Sequence, residues 1–138
     1  MRITLFTSNN FRHNYLINFL SNVCDELFVI QECKPLFVEI KNEEIQSLNV
    51  IEKYFKKVNE AQNKIFKKEL VNKNNKNIKI ISKIYGELNN ISLSDLGEFT
   101  KSDIYIVFGS SFIKGNLIDF LIKKKAINIH AGVSPYYR

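Results

Sequence analysis

The chain has 138 residues, of which 45% are hydrophobic, and it carries a formal net charge of +6 at pH 7. That length predicts one domain spanning residues 1–138, with enough apolar residues to form a buried core. No run of about 18 apolar residues is present, which excludes a membrane-spanning helix from the prediction. The apolar run after Arg2 is too short for the core of a signal peptide, so we expect a cytoplasmic protein without a membrane partner.

The positive charge comes mostly from lysines that are interleaved with asparagines. Lysine is a strongly hydrated point charge, whereas arginine is preferred for bidentate phosphate binding. We therefore expect a solvated basic surface; the alternative is a field that attracts an anionic ligand such as a nucleotide, a folate tail or RNA. Cys24 and Cys33 lack the spacing of a CxxC pair, and we expect both thiols to be reduced.

The chain opens with a strand, a turn and a helix. Ile3 to Thr7 is β-branched and aromatic, which is typical of a central strand. The turn that follows, Ser8-Asn9-Asn10, consists of good N-cap residues. Apolar residues then recur at intervals of three and four residues, which predicts a helix. Its apolar face contains Phe11, Tyr15, Leu16, Phe19 and Leu20, with Val23 at its end.

A second buried strand is predicted within Glu26 to Gln31. The stretch from Glu32 to Val50 is interrupted by Pro35, and Leu36 to Ile40 fits either a strand or an irregular loop. Glu52 to Leu70 then predicts an amphipathic helix laid on the sheet, with lysines on its solvated face. Its apolar stripe is expected to be core and consists of Tyr54, Phe55, Val58, Ala61, Ile65, Phe66 and Leu70.

The second half of the chain continues the alternation. After a polar loop at 72–77, it predicts a strand within 79–86 and a short helix at 92–99 that Ser92 caps. Asp103 to Phe108 reads as another buried strand. A helix is expected from near Ile113, and Ala126 to Ile129 is the last buried strand. The inward residues of that helix are expected to be Ile113, Leu117, Ile118, Leu121 and Ile122.

Strands alternating with helices predict an α/β domain, a Rossmann-like mostly parallel sheet flanked by helices. Ligands of such sheets bind beyond the carboxyl ends of the strands. Three polar turns occupy that position here: Ser8-Asn9-Asn10, Gly109-Ser110-Ser111, and the loop that carries Asn128 and His130. We expect these turns to share one edge of the sheet.

Asn128 and His130 are two residues apart, so their side chains are expected on the same face of the last strand. An imidazole takes a proton from an attacking amine near neutral pH, and an amide N–H holds the oxyanion of a tetrahedral intermediate. No Ser or Cys lies in a nucleophile elbow. The pair favours direct acyl transfer, and the alternative is a structural histidine at a strand end.

The spacing Asn128-x-His130, followed by Pro135-x-Tyr137-Arg138, resembles the signature of the folate-dependent formyltransferases. In that family the loop reads Asn-x-His-x-Ser-x-x-Pro-x-Tyr-Arg. The preceding strand, turn and helix, from Ile104 to Ile122, are also similar. The resemblance implies a Rossmann-like sheet and 10-formyltetrahydrofolate as the formyl donor. It implies that Asn128 stabilises the oxyanion and that His130 acts as acid and base.

The resemblance also implies the ligand contacts, and none of them is a metal site. The folate is expected at the turn Phe108, Gly109, Ser110, Ser111 and Phe112. The amine acceptor is expected at Ser8, Asn9, Asn10, Arg12, His13, Tyr137 and Arg138. That acceptor is expected to be an amino sugar on a nucleotide or another small amine. Methionyl-tRNA is less expected, because the sequence contains no separate RNA-binding domain.

The sequence departs from the family pattern in four places. Gly132 stands where the family usually has Ser, and Ser134 where it often has Leu. The first loop lacks the glycines that cradle a phosphate in glycinamide ribonucleotide formyltransferases, so that acceptor is less expected. The family's third catalytic residue is an Asp well downstream of the His, whereas this chain ends at Arg138. We therefore expect a fragment or shortened gene product that is inactive alone.

Two other classes of function are open. The first is a non-catalytic folate- or nucleotide-binding module, which Gly132 and the missing Asp favour. The second is a nucleic-acid-binding protein that uses the lysine-rich face. Most aromatic residues are assigned to core faces, which leaves few for base stacking.

Overall fold

The computed structural model describes residues 1–34, 45–67, 69–72 and 74–130, without the side chains of 45–49, 51, 52 and 55. Strands and helices alternate along these residues: β1 (Arg2–Ser8), α1 (Phe11–Ser21), β2 (Glu26–Cys33), α2 (Ile45–Phe66), β3 (Ile78–Ile84), α3 (Leu93–Leu96), β4 (Ile104–Phe108), α4 (Gly115–Lys123) and β5 (Ile127–Ile129). Short 3-10 turns at Leu88–Asn90 and Gly97–Thr100 flank α3. The predicted alternation is confirmed over these ranges, whereas the segment Leu36 to Ile40 lies outside the described residues.

The strands form one parallel sheet in the order β3-β2-β1-β4-β5. The predicted Rossmann-like α/β fold is confirmed, and β1 is its central strand. The chain steps outward from β1 to β3 and then returns to the other side of β1 at β4. This reversal is a topological switch point, and in open α/β sheets ligands bind in a crevice outside the carboxyl ends of the strands at such a point. The crevice below means this place, between the ends of β1 and β4.

Each face of the sheet carries its own core. Helix α1 covers one face, where the buried residues are Ile3, Leu5, Ile17, Leu20, Leu27, Val29 and Ile106. Helices α3 and α4 cover the other face, where the buried residues are Phe6, Ile30, Leu88, Leu96, Tyr105, Leu117 and Leu121. Because α1 and α4 lie on opposite faces, the loops that lead into them diverge from adjacent strands.

Helix α1 buries only part of the apolar face that its pattern predicts. Leu20 is buried and Leu16 packs against the core, whereas Tyr15, Phe19 and Val23 are about half exposed. The buried residues of α1 are His13, Asn14, Ile17, Leu20 and Ser21. The polar members tolerate burial because the interior supplies hydrogen-bond partners for them.

Helix α2 begins at Ile45 rather than Glu52 and ends at Phe66 rather than Leu70. The prediction that its apolar stripe is core was wrong, because Tyr54 and Ile65 are 62% and 68% exposed. Among the described residues the main packing partner of the helix is α1. In that contact the ring centroids of Tyr15 and Phe66 lie 5.6 Å apart.

Helix α4 and strand β5 occur in the predicted order, but their residues are less buried than predicted. Helix α4 buries Leu117 and Leu121 as predicted, but Ile122 is exposed. Strand β5 was predicted as buried, yet its three residues are all exposed. The reason is its place at the edge of the described sheet, where it pairs with β4 alone. The described helices include none that is long and apolar enough to cross a membrane.

Two local predictions are confirmed. The Ser92 side chain caps α3 by accepting a hydrogen bond from the Asp95 backbone N–H at 3.1 Å. Cys24 and Cys33 are both free thiols.

Candidate functional site

The crevice begins where β1 and β4 end side by side. Thr7 pairs with Phe108 in the sheet, and the Thr7 hydroxyl donates to the Phe108 carbonyl oxygen at 2.8 Å. From this point the Ser8-Asn9-Asn10 turn leads to α1 on one face, and the Gly109-Ser110-Ser111 turn leads to α4 on the other. The parallel sheet also carries the end of β5 to this edge. The predicted sharing of one edge by the three turns is therefore confirmed.

The side chain of His13 contacts both the Ser8-Asn9-Asn10 turn and the Gly109-Ser110-Ser111 turn. It is 1% exposed, and its Nδ1 lies 2.5 Å from the Ser8 Oγ. Its ring meets the Phe108 ring edge-on at 4.6 Å between centroids. His13 therefore faces the interior of the domain, and its contact with an acceptor stays a prediction.

The protonation state of His13 follows from its neighbours. The Nε of Arg12 donates to the His13 Nε2 at 3.2 Å, so Nε2 accepts and the ring proton lies on Nδ1. Burial, together with the smaller effects of the nearby charges of Arg12 and Lys34, lowers the pKa of His13 from 6.5 to about 4. The imidazole is thus neutral at pH 7 and donates to Ser8. It does not act as a base towards the Ser8 hydroxyl.

A glycine is required at position 109 because the β4–α4 turn packs directly against the His13 ring. Its φ of +70° is a conformation that favours glycine. A Cβ at this position would lie 2.4 Å from the His13 Nε2, well inside van der Waals contact. The β4–α4 turn approaches α1 this closely only because residue 109 has no side chain.

Arg12 brings a positive charge to this contact. Its side chain is exposed, and the guanidinium lies 5.8 Å from the centroid of the Phe108 ring. Asn9 and Asn10 are half-buried beside it, and Asn9 Oδ1 accepts from the Lys34 backbone N–H at 3.4 Å. The β1–α1 turn therefore presents amides and one positive charge at the mouth of the crevice.

The β4–α4 segment is held by two residues that the sequence reasoning missed. Glu32 accepts hydrogen bonds from Ser111, and Asn89 bonds to the backbone at Phe112 and Lys114, both at 2.8 Å. Ser110 and Ser111 are half-buried, whereas Phe112 is 77% exposed. One feature marks Glu32 in the sequence: it is an acid two residues after the buried run that ends at Ile30.

Asn128 and His130 lie across β4 from the first turn. Asn128 pairs with Val107 and Ile129 with Phe108, so Asn128 lies on the α4 side of the sheet and His130 follows the strand end. Both residues are exposed. They share the edge with the Gly109-Ser110-Ser111 turn. Tyr137 and Arg138, predicted to contact the acceptor, lie outside the described residues.

A second concavity lies on the α1 side of β2 and β3. This cleft has a volume of about 870 Å³, and its lining includes Asn14, Gln31, Asn75, Ile78 and Ile80. Asn14 and Gln31 bond to each other at 3.1 Å. Asn9 of the β1–α1 turn also lines this cleft. No pattern in the sequence predicted this cleft.

Within the described ranges no three His, Cys, Asp or Glu side chains are grouped so as to hold a metal ion. No family model matches the chain, and it has no significant match among curated proteins or solved structures.

Proposed function

We propose that this domain transfers a formyl group from 10-formyltetrahydrofolate to a primary amine. The observation that carries the proposal is the position of Asn128 and His130. They lie at the carboxyl end of β5, one strand away from the switch point between β1 and β4. In open α/β sheets this edge is where ligands bind. The Asn-x-His spacing that resembles the formyltransferases thus coincides with the edge that the topology favours.

The chemistry assigned to the pair is a direct acyl transfer. The amine nitrogen attacks the formyl carbon, and His130 takes the proton that the nitrogen loses. The carbonyl oxygen becomes an oxyanion, to which the Asn128 amide donates a hydrogen bond. The intermediate collapses by breaking the bond to N10 of the folate, which takes up a proton. The products are the formamide and tetrahydrofolate.

Charge supports an anionic ligand at this edge. Arg12 is exposed beside Phe108, and the whole chain carries a net charge of +6. Positive potential at a cleft raises the local concentration of an anion. Both the glutamate tail of a folate and the phosphates of a nucleotide-linked amino sugar carry negative charge. An amino sugar on a nucleotide, or another small amine, remains our preferred acceptor, ahead of methionyl-tRNA.

The second candidate is a folate- or nucleotide-binding module without turnover. The observation that favours it is the contrast between the two parts of the edge. The β1–β4 crevice is built from buried contacts of Ser8, His13 and Phe108, whereas Asn128 and His130 are exposed on an edge strand. A ligand held by the crevice does not need the β5 pair.

Binding is the first readout, because it does not depend on turnover. The chain is titrated by calorimetry with 5-formyltetrahydrofolate, and amine-dependent release of tetrahydrofolate from 10-formyltetrahydrofolate is measured in this chain and in any longer natural form. The variants are Asn128→Ala and His130→Ala. The matched control is Asn22→Ala, an exposed asparagine at the end of α1.

We expect all four proteins to bind the folate. Release by an active form is expected to fall about 100-fold or more in the two variants and to be unchanged in the control. Absence of folate binding by the unmodified chain would refute the proposal. Equal binding by wild type and His130→Ala, with no release by any form, would instead establish the binding module.

A further inference from the structure

Glu32 is a charged residue in the interior. It lies near the end of β2, where it pairs with Ser8 of β1 and Lys83 of β3. Its side chain is 0% exposed. Glutamate is almost never fully buried unless its carboxyl group has partners. The identity of those partners therefore indicates what the residue does.

The partners of Glu32 come from two different turns. Its Oε1 accepts from the Gly86 backbone N–H and from the Ser111 hydroxyl, both at 2.8 Å. Its Oε2 accepts from the Ser111 backbone N–H at 2.5 Å. All of these groups donate and both carboxyl oxygens only accept, which is the pattern of a carboxylate. Within the described part of the chain no lysine, arginine or histidine forms an ion pair with it.

These contacts span four neighbouring strands of the sheet, from β3 to β4. Gly86 follows β3, whereas Ser111 follows β4, and β1 lies between β2 and β4 in the sheet. The Glu32 side chain therefore reaches across the end of β1. It connects the turn after β3 with the turn that forms the β4 wall of the crevice. A carboxylate does this with short, charge-assisted hydrogen bonds that neutral side chains do not match.

We infer that Glu32 is a positioning residue that fixes the Ser111 turn and thereby shapes the ligand crevice. Its effect on folate binding rests on the proposed function, whereas its effect on the turn does not. Phe108 to Phe112 are the residues expected to contact the folate. Since Ser111 lies among them, displacement of Ser111 changes the shape that the ligand meets.

The direct test is amide hydrogen exchange, followed by NMR, in Glu32→Gln. Glutamine has nearly the same shape, but it replaces one acceptor oxygen with an NH₂ donor, so one of the two backbone N–H groups loses its partner. We expect exchange at Ser111 or Gly86 to rise about tenfold or more. Exchange at Leu5 and Val29, in the buried strands β1 and β2, should be unchanged. Unchanged exchange at Ser111 and Gly86 would overturn the inference.

The second test is affinity for 5-formyltetrahydrofolate. We expect Glu32→Gln to weaken binding about fivefold to tenfold, and Ser111→Ala, which removes only the hydroxyl donor, to weaken it less. Glu60→Gln, at an exposed glutamate of α2, is the matched control and should bind as wild type does. Leu96→Ala separates positioning from stability, because it removes a buried core side chain that belongs to α3 and not to the turn. It should lower Tm and leave the affinity unchanged.

The outcomes distinguish this inference from the proposed function. If wild type binds the folate and Glu32→Gln binds it equally well, the positioning role is wrong. If wild type does not bind the folate, the proposed function fails and the exchange result alone decides whether Glu32 fixes the turn. If Glu32→Gln does not fold, Ser111→Ala keeps the question testable, since Ser111 is half-buried. Unchanged exchange at Gly86 and unchanged affinity in Ser111→Ala would then count against the inference.

Discussion

His13 Nδ1 lies 2.5 Å from Ser8 Oγ, which ties the first turn of α1 to the end of β1. The other ring nitrogen accepts from Arg12, so both nitrogens of the buried ring are satisfied while it is neutral. Protonation would give Nε2 a hydrogen that points at the Arg12 guanidinium, in a place from which water is largely excluded. The stability of the domain should therefore depend on the charge of this one side chain.

The pKa of His13 is about 4 in the folded chain and 6.5 in its ordinary state. Between these values the unfolded chain binds more protons than the folded one, so stability falls as the pH falls. The contribution is complete above about pH 6.5 and is lost below about pH 4, and it amounts to roughly 3 kcal/mol. Urea unfolding measured across this window should show the loss in wild type and in His130→Ala, and should show less of it in His13→Gln. Parallel curves for wild type and His13→Gln would contradict the prediction.

Gly109→Ala should destabilise the domain by about 2–3 kcal/mol, because it adds a clash with the His13 ring to the strain of a positive φ. Gly86→Ala is the matched control. Gly86 also has a positive φ of +94°, but a Cβ there has nothing within 4 Å. Chemical unfolding of both variants gives the two losses. Similar losses would mean that the contact between residue 109 and His13 is not the cause.

The exposure of the α2 stripe predicts that Ile65→Ala changes the free energy of unfolding by no more than about 0.5 kcal/mol. Ile65 is 68% exposed, whereas Ile17 of α1 is 0% exposed. Ile17→Ala should therefore cost about 2–5 kcal/mol in the same measurement. A cost above about 2 kcal/mol for Ile65→Ala would show that the stripe is buried in solution, as its periodicity alone predicts.

Arg12→Gln should weaken binding of 5-formyltetrahydrofolate about threefold to tenfold at low salt, because it removes the exposed cation at the mouth of the crevice. Addition of salt should narrow the difference from wild type. Arg2→Gln is the control, since Arg2 begins β1 at the opposite edge of the sheet and pairs there with Glu26 at 2.5 Å. An equal loss in both variants would indicate a general effect of net charge and not a local contact.

The order of elements was predictable from the sequence because it depends on local patterns. β-branched runs such as Ile3 to Thr7 become strands, and apolar spacing at three and four produces helices such as α4. Once the strands are parallel, their carboxyl ends meet at one edge, so the grouping of Ser8, Gly109 and Asn128 at that edge followed from the order alone.

The tertiary structure decided which of these residues are buried. Apolar spacing reports what a helix is able to bury, whereas burial requires a second surface that fits it. Tyr54 and Ile65 of α2 have the right spacing but remain exposed in the described structure. Glu32 is charged, yet it is buried because Gly86 and Ser111, 54 and 79 residues away in the chain, donate hydrogen bonds to it. His13 bonds to its near neighbours Ser8 and Arg12, but it is buried against Phe108 and Gly109, which come from a distant part of the chain. Such partners are brought together only by the fold, so the pattern of neighbouring residues in the sequence does not predict them.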